Sequence, residues 1–286
     1  MKNNILKFRL IIILICSFNF IYSQSITITG KVTDSLNIPL QYVNIGVINK
    51  YVGTVTNGKG IFKFNIDNSM ANDTLRISSL GYETKDLLIK NIISNSKINV
   101  VLNNYTEELE EIILSSNKNS KLYIKGKKKS RSKNEVFFSI PKAKNQNLGA
   151  EIGRKFSLGK KKASTLNKYK FFIKNNNFEK IIFRIKLYTI KDNLPHKNIN
   201  KENIFVEVKN KSSGWINVDL TDYDINIKEN IIITVEWIEG SEDGNKLSLP
   251  MLIPSFSSVH YYKYGSQSKW KKYKMISTPM ILEFKQ

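Results

Sequence analysis

Between Ile26 and Leu102, apolar and polar residues alternate in short runs separated by turn formers. Ile26, Ile28 and Val32 fall on one face of an extended segment, with Thr27, Thr29 and Lys31 on the other. Val43, Ile45 and Val47 repeat the pattern, then Phe62, Phe64 and Ile66, Leu75 and Ile77, and Ile98, Val100 and Leu102. A period of two marks strands with one face buried. Asn57-Gly58 reads as a tight hairpin turn, where positive φ angles are needed. Gly53, Gly60 and Gly81 mark further turns or bulges. About seven short strands in so few residues predict two antiparallel sheets packed as a sandwich.

The segment ahead of these strands changes what counts as the folded chain. Lys2, Lys7 and Arg9 form a basic start, Leu10 to Phe20 is a short apolar run, and Ser23 precedes Gln24. That order predicts a secretory signal peptide over residues 1–23. The apolar run is shorter than the roughly 20 residues a membrane span needs. Cys16 follows Ile15 rather than a small residue, and the apolar run continues past it, which argues against lipidation. Removal of the signal leaves no cysteine, so no disulfide, thiolate nucleophile or cysteine-held metal is expected. The exported chain must then be held together by burial.

About 260 residues remain, enough for one or two domains. The formal net charge of +21 falls to +18 without Lys2, Lys7 and Arg9. Nucleic acid is a poor match for this excess. The basic residues are overwhelmingly lysine, and Arg9, Arg76, Arg131, Arg154 and Arg184 are the only arginines. Arginine is the better residue for bidentate phosphate and base contacts. An anionic envelope polymer or lipid surface suits such a charge better.

Four blocks of the first segment carry a family likeness. They are Gly30-Lys31-Val32-Thr33-Asp34 with Pro39 to Ile45, Gly53 to Asn57, Gly60-Ile61-Phe62, and Ile77 to Glu83. In this order they resemble a carboxypeptidase-like regulatory domain. The resemblance implies a transthyretin-like seven-stranded sandwich over residues 24–103. Such domains are found in exported Bacteroidota proteins and ahead of TonB-dependent receptors. The resemblance is to a non-catalytic appendage and not to a peptidase. A zinc peptidase needs histidine and carboxylate ligands with an open coordination position. His196 and His260 are the only histidines, and neither lies in a His-x-x-Glu or His-Glu-x-x-His arrangement.

Residues 104–134 read as a connector, acidic and then basic. Leu109 to Leu114 is similar to the segment that leads from this domain to the plug of the receptors, where strand addition can dock a partner. A final edge strand is the other reading. Lys125, Lys127, Lys128, Lys129, Arg131 and Lys133 follow with no acid among them. Like charges extend a segment. It reads as a solvated linker or as an electrostatic tether.

Residues 135–286 predict a second, jelly-roll-like β-sandwich. Ile181, Phe183, Ile185 and Leu187 alternate with Arg184 and Lys186. Ile204, Val206 and Val208, then Ile216, Val218 and Leu220, and Ile231, Ile233, Val235 and Trp237 do the same, and Met280, Leu282 and Phe284 close the chain. Trp270, Tyr261, Tyr262, Tyr264 and Trp215 are the candidate ligand-binding residues, because aromatic faces stack on sugar rings. Trp237 ends an apolar row and reads as core. Glu236, Glu239, Glu242 and Asp243 cluster near Gly240 and Gly244, but their spacing fits no established calcium loop. Glycoside hydrolysis needs two carboxylates flanking one bond. Glu151, Asp219, Asp222 and Glu236 are available, and nothing in the sequence pairs them.

The expectation is an all-β, non-catalytic protein of the cell envelope, periplasmic or surface-associated, with no cofactor and no bound metal. Its partner would be an envelope protein, a glycan or the surface matrix. Carbohydrate binding by the second sandwich and a cryptic hydrolase are the alternatives.

Overall fold

The computed structural model describes residues 25–95, 97–105, 120–129, 131–139, 147–159 and 162–286. The signal segment 1–23 with Cys16, and the Leu109 to Leu114 stretch, lie outside the described residues.

The first sandwich has the expected seven strands: β1 (Ser25–Asp34), β2 (Asn44–Val47), β3 (Gly53–Val55), β4 (Ile61–Asp67), β5 (Thr74–Ser78), β6 (Lys85–Leu88) and β7 (Lys97–Leu102). One sheet has the order β4-β1-β7, the other β3-β2-β5-β6. Strands β1 and β4 are antiparallel, whereas β1 and β7 are parallel, with Val32 beside Val100. The alternating residues meet between the sheets, where Ile28, Val32, Val43, Ile45, Phe62, Ile66, Leu75, Ile77 and Val100 are buried together. Asn57-Gly58 does not make the expected hairpin turn. Strands β3 and β4 belong to different sheets, so the chain crosses an edge there instead of folding back on its neighbour. The Asn57 carboxamide oxygen accepts from the amides of Lys59 and Ile61, and Gly60 takes the positive φ, 72°. An asparagine side chain mimicking a backbone acceptor is a common way to shape such a loop.

The second body has β8 (Leu122–Gly126), β9 (Glu135–Ser139), β10 (Glu151–Phe156), β11 (Ser164–Ile173), β12 (Asn175–Asn176), β13 (Lys180–Lys191), β14 (Leu194–Asn198) and β15 (Ile204–Lys209). It continues with β16 (Gly214–Asp219), β17 (Asn226–Ile227), β18 (Ile231–Gly240), β19 (Leu247–Pro250), β20 (Val259–Lys263), β21 (Lys271–Lys274) and β22 (Met280–Lys285). A large sheet has the order β14-β13-β18-β10-β20-β21, with β15 also paired to β13. A second sheet runs β16-β11-β22-β8, with β17 on β11, and β12-β19-β9 form a third. The core between them holds Ile152, Phe171, Phe183, Ile185, Ile233, Val235, Trp237, Leu282 and Phe284.

The basic connector needs correction. Part of it is β8, which pairs along β22 from Leu122 beside Lys285 to Gly126 beside Ile281. Lys125 lies on this strand, and the amide of Lys127 donates to the carbonyl of Met280. The Ser132 hydroxyl donates to the carbonyl of Met251, and the carbonyl of Lys133 accepts from the Lys174 ammonium. Lys128, Lys129 and Arg131 stay exposed. The backbone just before them, Leu122 to Lys127, is part of the second sandwich, because an edge of that sheet offers unpaired ladder groups.

Candidate functional site

Alternation along β13 and β18 predicts one buried and one wet face, yet both faces are buried in the middle of the strands. The inner face is the apolar core. The outer face carries Arg184, Lys186 and Tyr188 of β13, Thr234 and Glu236 of β18, Glu151 of β10, and Lys263 and Tyr261 of β20. The first sandwich lies over this charged patch. Its strand β2 is buried on both sides for that reason: Val47 and Ile45 face their own core, and Asn44 and Gly46 face the second body. A side-chain carbon on Gly46 or Gly53 would run into the Ser266 carbonyl, so glycine at both positions permits the close approach.

Asn44 links the two bodies. Its amide nitrogen donates to Glu236 Oε1 at 2.6 Å and to Ser266 Oγ at 3.0 Å. Its carboxamide oxygen accepts from Arg184 Nη2, while Arg184 Nη1 donates to the Tyr42 carbonyl at 3.0 Å. Around this link, apolar Val55 of the first body packs with Ile182 and Ile238 of the second. The Tyr42 hydroxyl donates to Glu239 at 2.7 Å, and Gln267 donates to the Ser78 hydroxyl at 2.8 Å.

Two of the four carboxylates considered for hydrolysis are brought together here. Glu151 and Glu236 are cross-strand partners, and both are fully buried. Glu236 pairs with Arg184 at 2.6 Å and Lys186 at 2.9 Å; Glu151 pairs with Lys186 at 3.2 Å and with Lys263. The Thr234 and Tyr188 hydroxyls donate to Glu151 at 2.8 and 2.9 Å. Burial alone would raise both carboxyls, but Lys186 and Lys263 at Glu151, and these two with Arg184 at Glu236, outweigh it and hold both below the ordinary carboxylate range. Burial has the upper hand at Lys186, whose ammonium is held below its ordinary value. Two carboxylates both kept ionised leave no proton donor, whereas glycoside hydrolysis needs one carboxyl raised to act as the acid. Asp219 is apart from them, accepting from the Thr221 hydroxyl and amide.

The acidic cluster considered for calcium is dispersed. Glu236 belongs to the seam, Glu239 holds Tyr42 and Lys180, and Asp243 accepts from Ser241. Among the described residues no group of three histidine, cysteine or acidic side chains could hold a metal ion.

The predicted aromatic rim separates into three environments. Tyr261 is a correction: it is core, packed with Tyr188 and Ile232 on the face toward the seam. Trp270 is half-buried, with the Lys263 ammonium 5.0 Å from its ring centroid and Tyr188 meeting it edge-on at 5.7 Å. Trp215 is half-buried against Phe172, at 5.3 Å between centroids. Tyr262 and Tyr264 do share a cavity, of about 430 Å³, with Tyr273, His260, Phe137, Phe138, Val136, Asn147, Met251, Ile276 and Glu135. Strand alternation places them there: His260 and Tyr262 point opposite to Tyr261, and Tyr273 is the cross-strand partner of His260. The first body reaches the same place, because Tyr51 packs edge-on against Tyr264 at 6.0 Å and lies under the Lys271 ammonium. His196, by contrast, is exposed on β14. Sequence alone could pick out Tyr262 and Tyr264; Asn147, Phe137 and Phe138 carry no local signal for a shared cavity.

With both surfaces described, the family comparison has a structural counterpart. Residues 28–114 match the family model of the CarboxypepD_reg-like domain. The match covers the first sandwich, so the CarboxypepD_reg-like domain is the body that supplies Asn44 and Gly46 to the seam. No curated protein matches the chain. Among solved structures, the chain is similar to the cysteine protease and lectin-like domains of Cwp84, a surface layer associated protein of Clostridium difficile. The identity is 12%, with 88% of this chain and 61% of that chain covered and a TM-score of 0.42. A second Cwp84 structure, obtained after propeptide cleavage, gives 11% identity over 91% of this chain and 71% of that one, with a TM-score of 0.39. At such scores neither likeness bears on function.

Proposed function

We propose that this is a non-catalytic, exported protein of the cell envelope, which works by binding. The CarboxypepD_reg-like domain serves as a rigid platform for the second sandwich. The observation that carries this reading is the sealed acid pair. Glu151 and Glu236 are the best-placed carboxylates for bond cleavage, and they are buried, ionised and saturated by Arg184, Lys186 and Lys263 beneath the first body. A buried ion cluster of this kind sets geometry and offers no route to substrate. The cavity lined by Tyr262 and Tyr264 is a concave, mainly apolar surface suited to a ligand. Export rests on the order of residues 1–23, and the lysine excess suits an anionic envelope surface.

Carbohydrate binding by the second sandwich is the second reading; at Trp270 it would use the part of the ring that Lys263 and Tyr188 leave exposed. The test is fractionation of cells that make the full chain, together with hydrolysis assays of purified protein on peptide and glycan substrates. Envelope association without protein-dependent turnover is the expected result. Turnover that disappears in a folded Glu236→Gln protein would overturn the reading.

A further inference from the structure

Two buried polar atoms of the aromatic cavity have no hydrogen-bond partner among the described residues. They are His260 Nδ1 and Asn147 Oδ1, on side chains that are 2% and 6% exposed. Unpaired buried polar atoms are uncommon in folded proteins and call for an explanation. Both residues line the same cavity. The Asn147 amide nitrogen donates to the Phe138 carbonyl, which leaves its oxygen as an acceptor in want of a donor. The carboxylate at the edge, Glu135, is engaged by Asn175 at 2.6 Å and by Ser248.

We propose that this cavity binds a flat aromatic ring carrying a single O–H or N–H donor, of the phenol or indole class. The inference rests on the binding reading above and narrows it to a ligand chemistry. Tyr262, Tyr264, Tyr273 and Phe137 offer ring faces and edges, which favour stacked or edge-on aromatic contact. An apolar cavity of roughly 150 Å³ already admits benzene, so about 430 Å³ accommodates a substituted ring. A hexose fits the chemistry poorly. It would bring about five hydroxyls to a mainly apolar wall, leaving most of them desolvated and unpaired.

The test is titration of the purified mature chain, by calorimetry and ligand-observed NMR, with p-cresol, toluene, N-acetyl-tyrosinamide and methyl glucoside. Saturable p-cresol binding, about tenfold tighter than toluene, is expected from one added hydrogen bond. N-acetyl-tyrosinamide binding as tightly as p-cresol supports the same ring chemistry delivered on a peptide; p-cresol alone binding supports a free small aromatic. Tyr273→Ala, at a partly exposed wall position, should weaken p-cresol at least fivefold without shifting the melting temperature. His260→Phe should reduce the preference over toluene, and His260→Phe combined with Asn147→Leu should abolish it. Methyl glucoside binding more tightly than p-cresol overturns the ligand class while leaving the binding role intact. No saturable binding of any probe overturns the site, and envelope association with absent turnover still tests the broader role separately.

Discussion

Asn44 of the first sandwich and Glu236 of the second are joined at 2.6 Å inside the protein, across 192 residues of sequence. One carboxamide therefore satisfies a buried carboxylate and a buried guanidinium together.

Asn44→Ala should lower stability by about 2–3 kcal/mol, since hydrogen bonds to charged groups are the strong ones and their partners would stay buried. Urea denaturation measures it. Asn65→Ala, on the exposed face of β4, is the comparison and should change stability by no more than about 0.5 kcal/mol. Equal effects at the two positions would mean that the seam adds little.

Gly46→Val puts a branched side chain against the Ser266 carbonyl. The seam should open rather than either core, because each sandwich keeps its own apolar interior. Calorimetry of the native protein should show one cooperative transition, and that of the variant two. A single unshifted transition would contradict the close seating.

His260 makes stability depend on pH. Burial pushes its pKa down from 6.5 to about 4. Between these values the unfolded chain takes up a proton that the native protein refuses, so stability falls as pH drops from about 6.5 to 4. The loss should reach about 3 kcal/mol. His260→Gln should flatten that window. A further loss below about pH 4.5 comes from Glu151 and Glu236, whose carboxyls are held low in the native state and protonate first in the unfolded one. Denaturation midpoints from pH 7 to 3 separate the two phases.

Arg154 is buried on the inner face, with Phe156 5.3 Å away and no hydrogen-bond partner for Nε or Nη1 among the described residues. Burial lowers its pKa to about 10, which still leaves it charged at neutral pH. Arg154→Met should raise stability by about 1–3 kcal/mol, because an apolar side chain of similar length avoids the desolvation cost. A lower melting temperature would refute this.

Periodicity made the strands legible, and four short motif blocks made the first sandwich recognisable. Periodicity also placed Trp237 correctly in the core. It misled at Arg184 and Lys186, where a polar residue on every second position reads as solvent-facing. The register of a strand is a local property, whereas what covers its outer face is decided by a body more than 100 residues away in sequence. The same limit applies to Tyr261 and Tyr262: adjacent in the chain, they point to opposite faces, and one is core while its neighbour lines the cavity. In the connector the charge of the lysine run dominates, and the short consecutive apolar run Leu122-Tyr123-Ile124 of β8 shows no alternation to mark it as a strand.

Strand β22, at the chain's far end, lies between β11 and β8 in its sheet. A nascent chain thus carries β8 unpartnered until Phe284 has been synthesised, and such late, distant closure slows folding and prolongs the life of sticky intermediates.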